Sequence, residues 1–329
     1  MARTEATLTK TLENAPLSHG SSASPKASWD YTINQTAATA GTDATLTKTL
    51  EKVTLKNGED VWFATYGYPN ALDTFFLVHG AAGTHEDFKH FSPLLANEAY
   101  NVMAVDLPGH GLTSGDAAGG VDLTEARIVD AMIETVEILA AREPLRRFFL
   151  VGHSFGGATA MQIVARGQPS SIAGLALINT SGFRPHVIMR PYWVIVLLYK
   201  LLVASSFTRM LTSSLVRFLL VTHGFSKTLT SAESAYTFHR TATMDFDAVK
   251  ESASLIHEIK LPLFYANARN DRVVEKAIGD EVFAILQPPA RLEYDSGGHN
   301  IQKTRAAELS ATLHKWAAAV PRVLKRVAL

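Results

Sequence analysis

Position 154 is a serine set between glycines, in Gly152-His153-Ser154-Phe155-Gly156. A serine hydroxyl is a poor nucleophile near neutral pH, so it needs a base within hydrogen-bond reach and a third group to orient that base. Two later loops supply these types. Asp271 stands in Asn267-Ala-Arg-Asn-Asp-Arg-Val-Val274, and His299 in Ser296-Gly-Gly-His-Asn300. Ser, Asp, His is an order in which such a triad is known to follow a serine elbow. Acyl transfer also needs N–H donors aimed at the developing oxyanion. The amide of Phe155 is one by its position after the nucleophile, and the amide of Ala81, in His79-Gly80-Ala81-Ala82-Gly83, is the candidate for the second. The chain has no cysteine, which excludes a thiol nucleophile, disulfides, Cys-ligated zinc and Fe–S clusters.

These groups act together only if secondary structure delivers them to one place. Phe148–Val151 reads as a buried strand and a helix follows from Phe155, so Ser154 falls on a strained strand-to-helix turn. Gly152 and Gly156 are needed there because a Cβ would strike the neighbouring strand or helix. His153 within the motif reads as structural. Asp271 follows the strand Leu263–Ala266, His299 follows Ala290–Tyr294, and Gly80 follows Thr74–Val78. Open α/β sheets gather their ligands at the carboxyl ends of their strands, where all these loops emerge. The position after the strand Ile172–Ile178 holds Asn179, Thr180 and Ser181, none ionisable, which favours Asp271 as the acid. Val102–Val105 is a further buried run. Helices are expected over Glu86–Ala96, after a capping box at Asp122-Leu-Thr-Glu125 with Ile128, Met132, Val136 and Leu139 as the apolar face, over Glu275–Leu286, and over Thr304–Ala319. This alternation predicts an α/β fold whose sheet is mostly parallel and covered on both faces.

Of 329 residues, 47% are hydrophobic and 19% charged, which rules out a wholly disordered chain. Lys+Arg and Asp+Glu both number 31, so no overall charge invites nucleic acid. Residues 1–43 read as a flexible tail without a secretory signal, so a cytoplasmic location is expected, with a membrane-peripheral one as the second option. Ala6–Glu13 recurs letter for letter as Ala44–Glu51. The second copy runs into a strand and an Asn57-Gly58 turn, completed as a hairpin by Asp60–Gly67, so it is expected to be the folded copy. Residues 44–182 and 257–329 are assigned to the core and 183–256 to a helical cap. Within the cap, Tyr192–Ala204 and Phe207–Val221 read as helices, the first too short for the ~20 residues that span a bilayer. The second places Phe207, Leu211, Leu215 and Phe218 on one face and Arg209, Thr212, Ser213 and Arg217 on another, as for a lid lying on a core or an interface. From Pro144 through Ala232 there is no acid and there are nine bases. Should those in the insertion share a face, contact with anionic membrane through the cap is expected.

In chain order, His79-Gly80, Asp106-Leu-Pro-Gly-His-Gly111, Gly152-His-Ser-Phe-Gly-Gly157, Asn270-Asp271-Arg272 and Gly298-His299 resemble the α/β-hydrolase fold superfamily, in its serine esterase and lipase-like branch. The resemblance covers about Val53 to Ala319. It implies an eight-stranded, mostly parallel sheet with a helical cap inserted after strand six. It implies Ser154 as nucleophile, His299 as base, Asp271 as its partner, Phe155 and Ala81 as oxyanion donors, turn-stabilising roles for Asp106 and His110, and no cofactor or metal. Relatives with an aspartate nucleophile are disfavoured by serine at 154. The expected activity is hydrolysis of a carboxylic ester, with a lipid or monoacylglycerol in view, through an acyl-enzyme. A carbon–carbon bond hydrolase, a thioesterase and a ligand receptor without turnover remain open, because one fold and triad serve all of them.

Overall fold

The computed structural model of the protein describes residues 35–36, 46–68, 71–168 and 170–322. The first copy of the repeat, and nearly all of the expected tail, lie outside these residues. From Leu46 the second copy leads into strand β1 (Thr47–Thr54), which pairs antiparallel with β2 (Asp60–Gly67), Val53 opposite Val61. The hairpin turns at Asn57-Gly58, where Gly58 has φ 86, a left-handed value that glycine takes without strain. The remaining strands are β3 (Asp73–Val78), β4 (Tyr100–Val105), β5 (Arg147–His153), β6 (Ile172–Ile178), β7 (Leu263–Ala268) and β8 (Arg291–Tyr294). They lie in the order β1-β2-β4-β3-β5-β6-β7-β8, antiparallel through β4 against β2 and parallel from there on. A two-residue strand, Gln35–Thr36, pairs with β1 and adds a ninth member that the sequence had not suggested.

Helices α1 (Glu125–Arg142) and α2 (Phe155–Gln162) precede the insertion, α3 (Tyr192–Ala204), α4 (Ser206–Thr222), α5 (Ser231–Ala242) and α6 (Phe246–Glu258) fill it between β6 and β7, and α7 (Lys276–Leu286) and α8 (Ala306–Ala319) follow. Successive side chains of a strand point to opposite faces, and both faces here are covered, so Phe75–Val78 of β3 and Phe148–Val151 of β5 are continuous apolar runs. Phe76, Val78 and Leu150 pack with Ile128, Met132 and Val136 of α1 and Met161 of α2. Phe75, Leu77, Phe149 and Val151 pack with Leu309, Leu313 and Ala317 of α8. Val249, Ala253 and Ile256 carry α6 onto the same face as α1.

Two local expectations are corrected. The Glu86–Ala96 helix is instead a short 3-10 turn, His85–Phe88, and one helical turn, Ser92–Leu95, because Pro93 cannot donate within a continuous helix. The cap of α1 is Thr124, whose hydroxyl accepts from Arg127 N–H, rather than Asp122. Glu125 is not free to join a capping box, since its carboxylate is committed elsewhere.

The orientation of α4, which the sequence left open between a core and an interface, puts the apolar stripe outside. Its Thr212 and Ser213 are buried, while Phe207, Met210, Leu211, Leu215 and Phe218 are exposed, Phe207 at 66% and Phe218 at 63%. On α3, Leu198 and Leu202 join Val216 and Leu220 of α4 in a small core of the cap, and Trp193, Leu197 and Leu201 face outward. Nor do the nine bases form an open patch. Arg146, Arg147, Arg166, Arg184 and Arg190 pair with Glu143, Asp73, Asp130, Glu281 and Glu275. Arg209 and Arg217 donate to backbone carbonyls, and only Lys200 and Lys227 lack a partner among the described residues. Among the described residues no helix is long and apolar enough to cross a membrane.

Candidate active site

Ser154 ends β5 and begins α2 with φ 55 and ψ −126, outside the comfortable backbone regions of a residue bearing a Cβ. The turn closes that tightly only between glycines. A Cβ at Gly152 would lie 2.5 Å from the Cα of Gly157, and one at Gly156 would collide with the carbonyls of Val78 and His79 at the end of β3. A Cβ at Gly80 would stand 2.9 Å from the Ser154 Cβ and 3.4 Å from its Oγ. The loop after β3 therefore lies directly against the serine.

The loops after β7 and β8 bring the acid and the histidine together. His299 Nδ1–H donates to Asp271 Oδ2 at 2.8 Å, and both side chains are largely buried. Asp271 Oδ1 accepts the Val273 and Val274 amides at 2.7 and 3.0 Å, which fixes the carboxylate. With Nδ1 engaged, Nε2 is the nitrogen left to act as base. Ser154, His299, Phe155, Gly80 and Ala81 all line one cavity of about 690 Å³ under the cap. Among the described residues the Ser154 hydroxyl makes no hydrogen bond, to the His299 imidazole or to any other group. Such contacts are often loose until substrate binds.

Asn179 holds the histidine loop, as nothing in the sequence indicated. Its Nδ2 donates to the carbonyls of Gly298 and His299 at 2.9 and 2.6 Å, while its Oδ1 accepts Ala268 N–H at 2.9 Å. Asn270 Oδ1 accepts the Gly297 and Gly298 amides, tying the acid loop to the same turn. His153 Nε2 lies 3.0 Å from the His299 carbonyl oxygen, which ties it to the histidine loop. Burial, reinforced by the nearby His299, pushes its pKa well below the usual histidine range, so it serves there as a neutral donor. Asp106 does stabilise its turn, accepting the His85 and Leu112 amides at 2.7 and 2.9 Å. His110 sits in the same turn, Nδ1 3.2 Å from the Pro108 carbonyl.

The other group unmarked in the sequence is Arg240 of α5. It is fully buried, with Nε donating to Glu125 Oε2 at 2.8 Å, Nη2 to Thr159 Oγ1 at 2.8 Å and Nη1 to the Gly80 carbonyl at 3.1 Å. The Thr159 hydroxyl donates in turn to the second carboxylate oxygen of Glu125. His79 Nδ1 adds a second donor to the Gly80 carbonyl at 2.8 Å. The Gly80 carbonyl and the Ala81 N–H belong to one planar trans peptide and point in opposite directions. Anchoring the oxygen on Arg240 and His79 therefore sets the direction of the Ala81 amide. The Phe155 amide opens α2 and so belongs to the set of helix N–H groups without an intrahelical acceptor.

A serine elbow at the carboxyl edge of a sheet ordered 1-2-4-3-5-6-7-8, with a histidine and an acid on the loops after the last two strands, defines the α/β-hydrolase fold. The chain belongs to the Hydrolase_4 family, described as serine aminopeptidase, S33, whose profile matches residues 69–303. It is 32% identical over 125 residues to a serine hydrolase-like protein of Danio rerio, covering 38% of this chain and 35% of that protein. It is 33% identical over 103 residues to phospholipase YtpA of Bacillus subtilis, covering 31% of this chain and 38% of that one. These matches thus span little more than a third of each relative. An α/β-hydrolase fold protein from Burkholderia ambifaria superposes with a TM-score of 0.63 at 16% identity, over 86% of this chain and 100% of its own.

Proposed function

We propose that the protein is a serine hydrolase that cleaves carboxylic esters with an apolar acyl portion through an acyl-enzyme. The observation that carries this is the Asp271–His299 hydrogen bond on the wall of the cavity that Ser154 also lines. In the proposed reaction Ser154 Oγ attacks the ester carbonyl and His299 Nε2 takes its proton. Asp271 holds the imidazole and stabilises the imidazolium, and the Phe155 and Ala81 amides receive the oxyanion. The protonated His299 then donates to the departing alkoxide, and a water deprotonated by the same nitrogen releases the acid. The cavity wall carries Met189, Val194, Ile195, Leu198, Leu219 and Phe238, which suits an acyl chain. An aminopeptidase, the activity named in the family's description, needs an anion to hold the substrate's ammonium. The carboxylate among the lining residues, Asp87, is already paired with Lys303 at 2.5 Å. A fluorophosphonate probe should label the wild-type protein and leave Ser154→Ala unlabelled. Turnover of p-nitrophenyl octanoate without any partner protein, in parallel with thioester, diketone and aminoacyl-anilide arms, separates the ester hydrolase from the other hydrolases and from a receptor. Labelling that survives Ser154→Ala rejects the assignment.

We infer that this hydrolase works at a lipid surface, seated on the outer face of α3 and α4. That face turns Trp193, Leu197, Phe207, Leu211, Leu215 and Phe218 to the outside with Lys200 as its one charged residue, the pattern of an interfacial helix. Exposed residues lining the cavity include Ile188, ahead of α3, and His223, Gly224 and Ser226, which follow the end of α4, so the apolar surface of α4 runs toward the cavity. The name of the Bacillus relative, a phospholipase, agrees with such a substrate. The apolar face supplies the attraction, and Lys200 and Lys227 add a preference for anionic lipid. The protein should co-sediment with anionic vesicles at low salt and do so several-fold less as Phe207→Ser/Phe218→Ser. No sedimentation of the wild-type protein, or a concentration-dependent dimer whose contact those changes abolish, removes the lipid surface as the occupant.

A further inference from the structure

Among the described residues, six that are not glycine have positive φ, and five of them stand where such values are expected or already explained. Gln168, Lys260 and Gln287 follow helix ends, the usual place for a left-handed residue. Asn179 is of a type that tolerates the left-handed region, and Ser154 forms the elbow. The sixth is Ala82, with φ 54, a value disfavoured for an L-alanine because its Cβ crowds a carbonyl oxygen. Ala82 lies in the loop after β3, where the Gly83 N–H donates to the Gly80 carbonyl at 3.3 Å and closes a four-residue turn with Ala81 and Ala82 at its centre. A positive φ at the third position alone marks a type II turn, in which glycine is the favoured residue. Glycine stands on either side, at 80 and 83, yet alanine occupies the position that favours it.

The cap is what bears on this alanine. Ala82 packs against the small core formed by Leu198 and Leu202 of α3, Val216 and Leu220 of α4 and Phe238 of α5. Of the described residues packed on that core, it is the one contributed from outside the cap. It also lines the cavity together with Ala81 and Ser154. Its side chain is a single methyl group whose direction the backbone sets, so close packing against the methyl also resists a change of φ. A strained residue persists where its surroundings over-determine it. The entry to the turn is held from the core, by Arg240 and His79 on the Gly80 carbonyl, and its exit is held by the cap through Ala82.

We propose that Ala82 is a positioning residue through which the packing of the cap keeps the oxyanion turn in its working form. This rests on Ser154 being the nucleophile and the Ala81 amide an oxyanion donor. When the cap core loosens, Ala82 relaxes to a negative φ by turning the Ala81–Ala82 peptide over. The flip exchanges the two ends of that peptide, so a carbonyl oxygen comes to lie where an N–H had pointed, next to the Ala81 amide. An oxygen there opposes the negative charge that the site must gather in the transition state.

Glycine keeps a positive φ without help, so Ala82→Gly should be labelled by fluorophosphonate within about twofold of the wild-type rate while uncoupling the turn from the cap. Leu202 and Val216 are fully buried in the cap core and are not among the residues that line the cavity, so truncating either loosens the cap without touching the wall. Leu202→Ala should lower the melting temperature about equally in the wild-type and Ala82→Gly backgrounds. It should slow labelling by about tenfold in the wild-type background and by less than about twofold in the Ala82→Gly background. Val216→Ala, a smaller change, gives the same comparison where Leu202→Ala does not fold. Equal slowing in both backgrounds, no slowing in the wild-type background, or a rate already about tenfold down in Ala82→Gly alone overturns the proposal. The amide NMR resonance of residue 82 makes the comparison without any reaction: it should move with Leu202→Ala in the wild-type background and stay in place in the Ala82→Gly background. If the wild-type protein is not labelled at all, the nucleophile assignment fails, and a resonance that moves still upholds the coupling of cap to turn, whereas one that stays sinks both.

Discussion

Ser154 holds a backbone conformation that its neighbours must enforce. The enforcement is steric, since Gly152, Gly156 and Gly80 sit where any side chain would meet backbone or the serine itself. Gly156→Ala drives a methyl group into the carbonyls of Val78 and His79, atoms of a central strand end that cannot swing aside. It should cost about 1–3 kcal/mol or more in urea unfolding, and the protein that still folds should react with fluorophosphonate at least about tenfold more slowly because the elbow has shifted. A wild-type labelling rate would show that the turn tolerates the methyl. For Asp271→Asn, which keeps the shape but favours the wrong imidazole tautomer, labelling should slow by about a hundredfold or more. The serine, acid and histidine proposed as the triad could be picked out of the sequence because each lies in a local pattern, a loop following an apolar run. Asn179 and Asn270 were not, because amides that donate to and accept from another loop carry no pattern of their own.

At the scale of elements, α5 reaches the Gly80 carbonyl, beside the proposed nucleophile, through one buried charged side chain, Arg240. Arg240 and Glu125 are 0% and 1% exposed, and their pair links the cap to α1, to Thr159 of α2 and to the loop after β3. Removing one partner strands a buried charge, so Arg240→Met should lose about 3–5 kcal/mol of stability. Arg240→Met/Glu125→Leu replaces both charges by apolar groups and should recover most of that loss in thermal melts. It should not recover the rate, because the Gly80 carbonyl has still lost a donor and the Ala81 amide its bearing. Stability restored with kcat still about tenfold down supports the orienting role, whereas both restored together reduces Arg240 to a structural tie. The helix α4 shows a limit of pattern at this scale. Periodicity located an apolar and a polar stripe on it, but the pattern is the same whichever stripe faces in. The small core that α4 forms with α3 chose Val216 and Leu220, leaving Phe207 and Phe218 outside.

The whole molecule carries an unusual load of buried neutral histidines. Burial pushes His110, His186 and His239 down to about 4 from an ordinary 6.5, and holds His79 and His153 well below that ordinary value. Between 6.5 and about 4 the unfolded chain therefore binds more protons at these sites than the folded protein does. Stability is full above the unfolded pKa and is lost as pH falls toward the folded one. The melting temperature should be level from about pH 8 to pH 7 and drop several degrees by about pH 5. A melting temperature that holds steady over that interval contradicts neutral burial of these rings. His110→Gln should flatten the slope in proportion to its share, at some cost in stability at neutral pH.

The sequence by itself determined the sheet, its two covered faces and the three groups proposed as the triad. Those features depend on the period of apolar residues and on glycines beside a serine, which are short-range properties of a chain. Tertiary structure alone decided which stripe of α4 faces outward, which carboxylate meets Arg240, and that both nitrogens of His186 are buried without a partner. The physical reason is that a buried polar group is defined by what reaches it. Glu125 and Arg240 are separated by 115 residues and meet only once β3, α1 and α5 have packed. No spacing along the chain announces such a pair, and none announces a ring left without one.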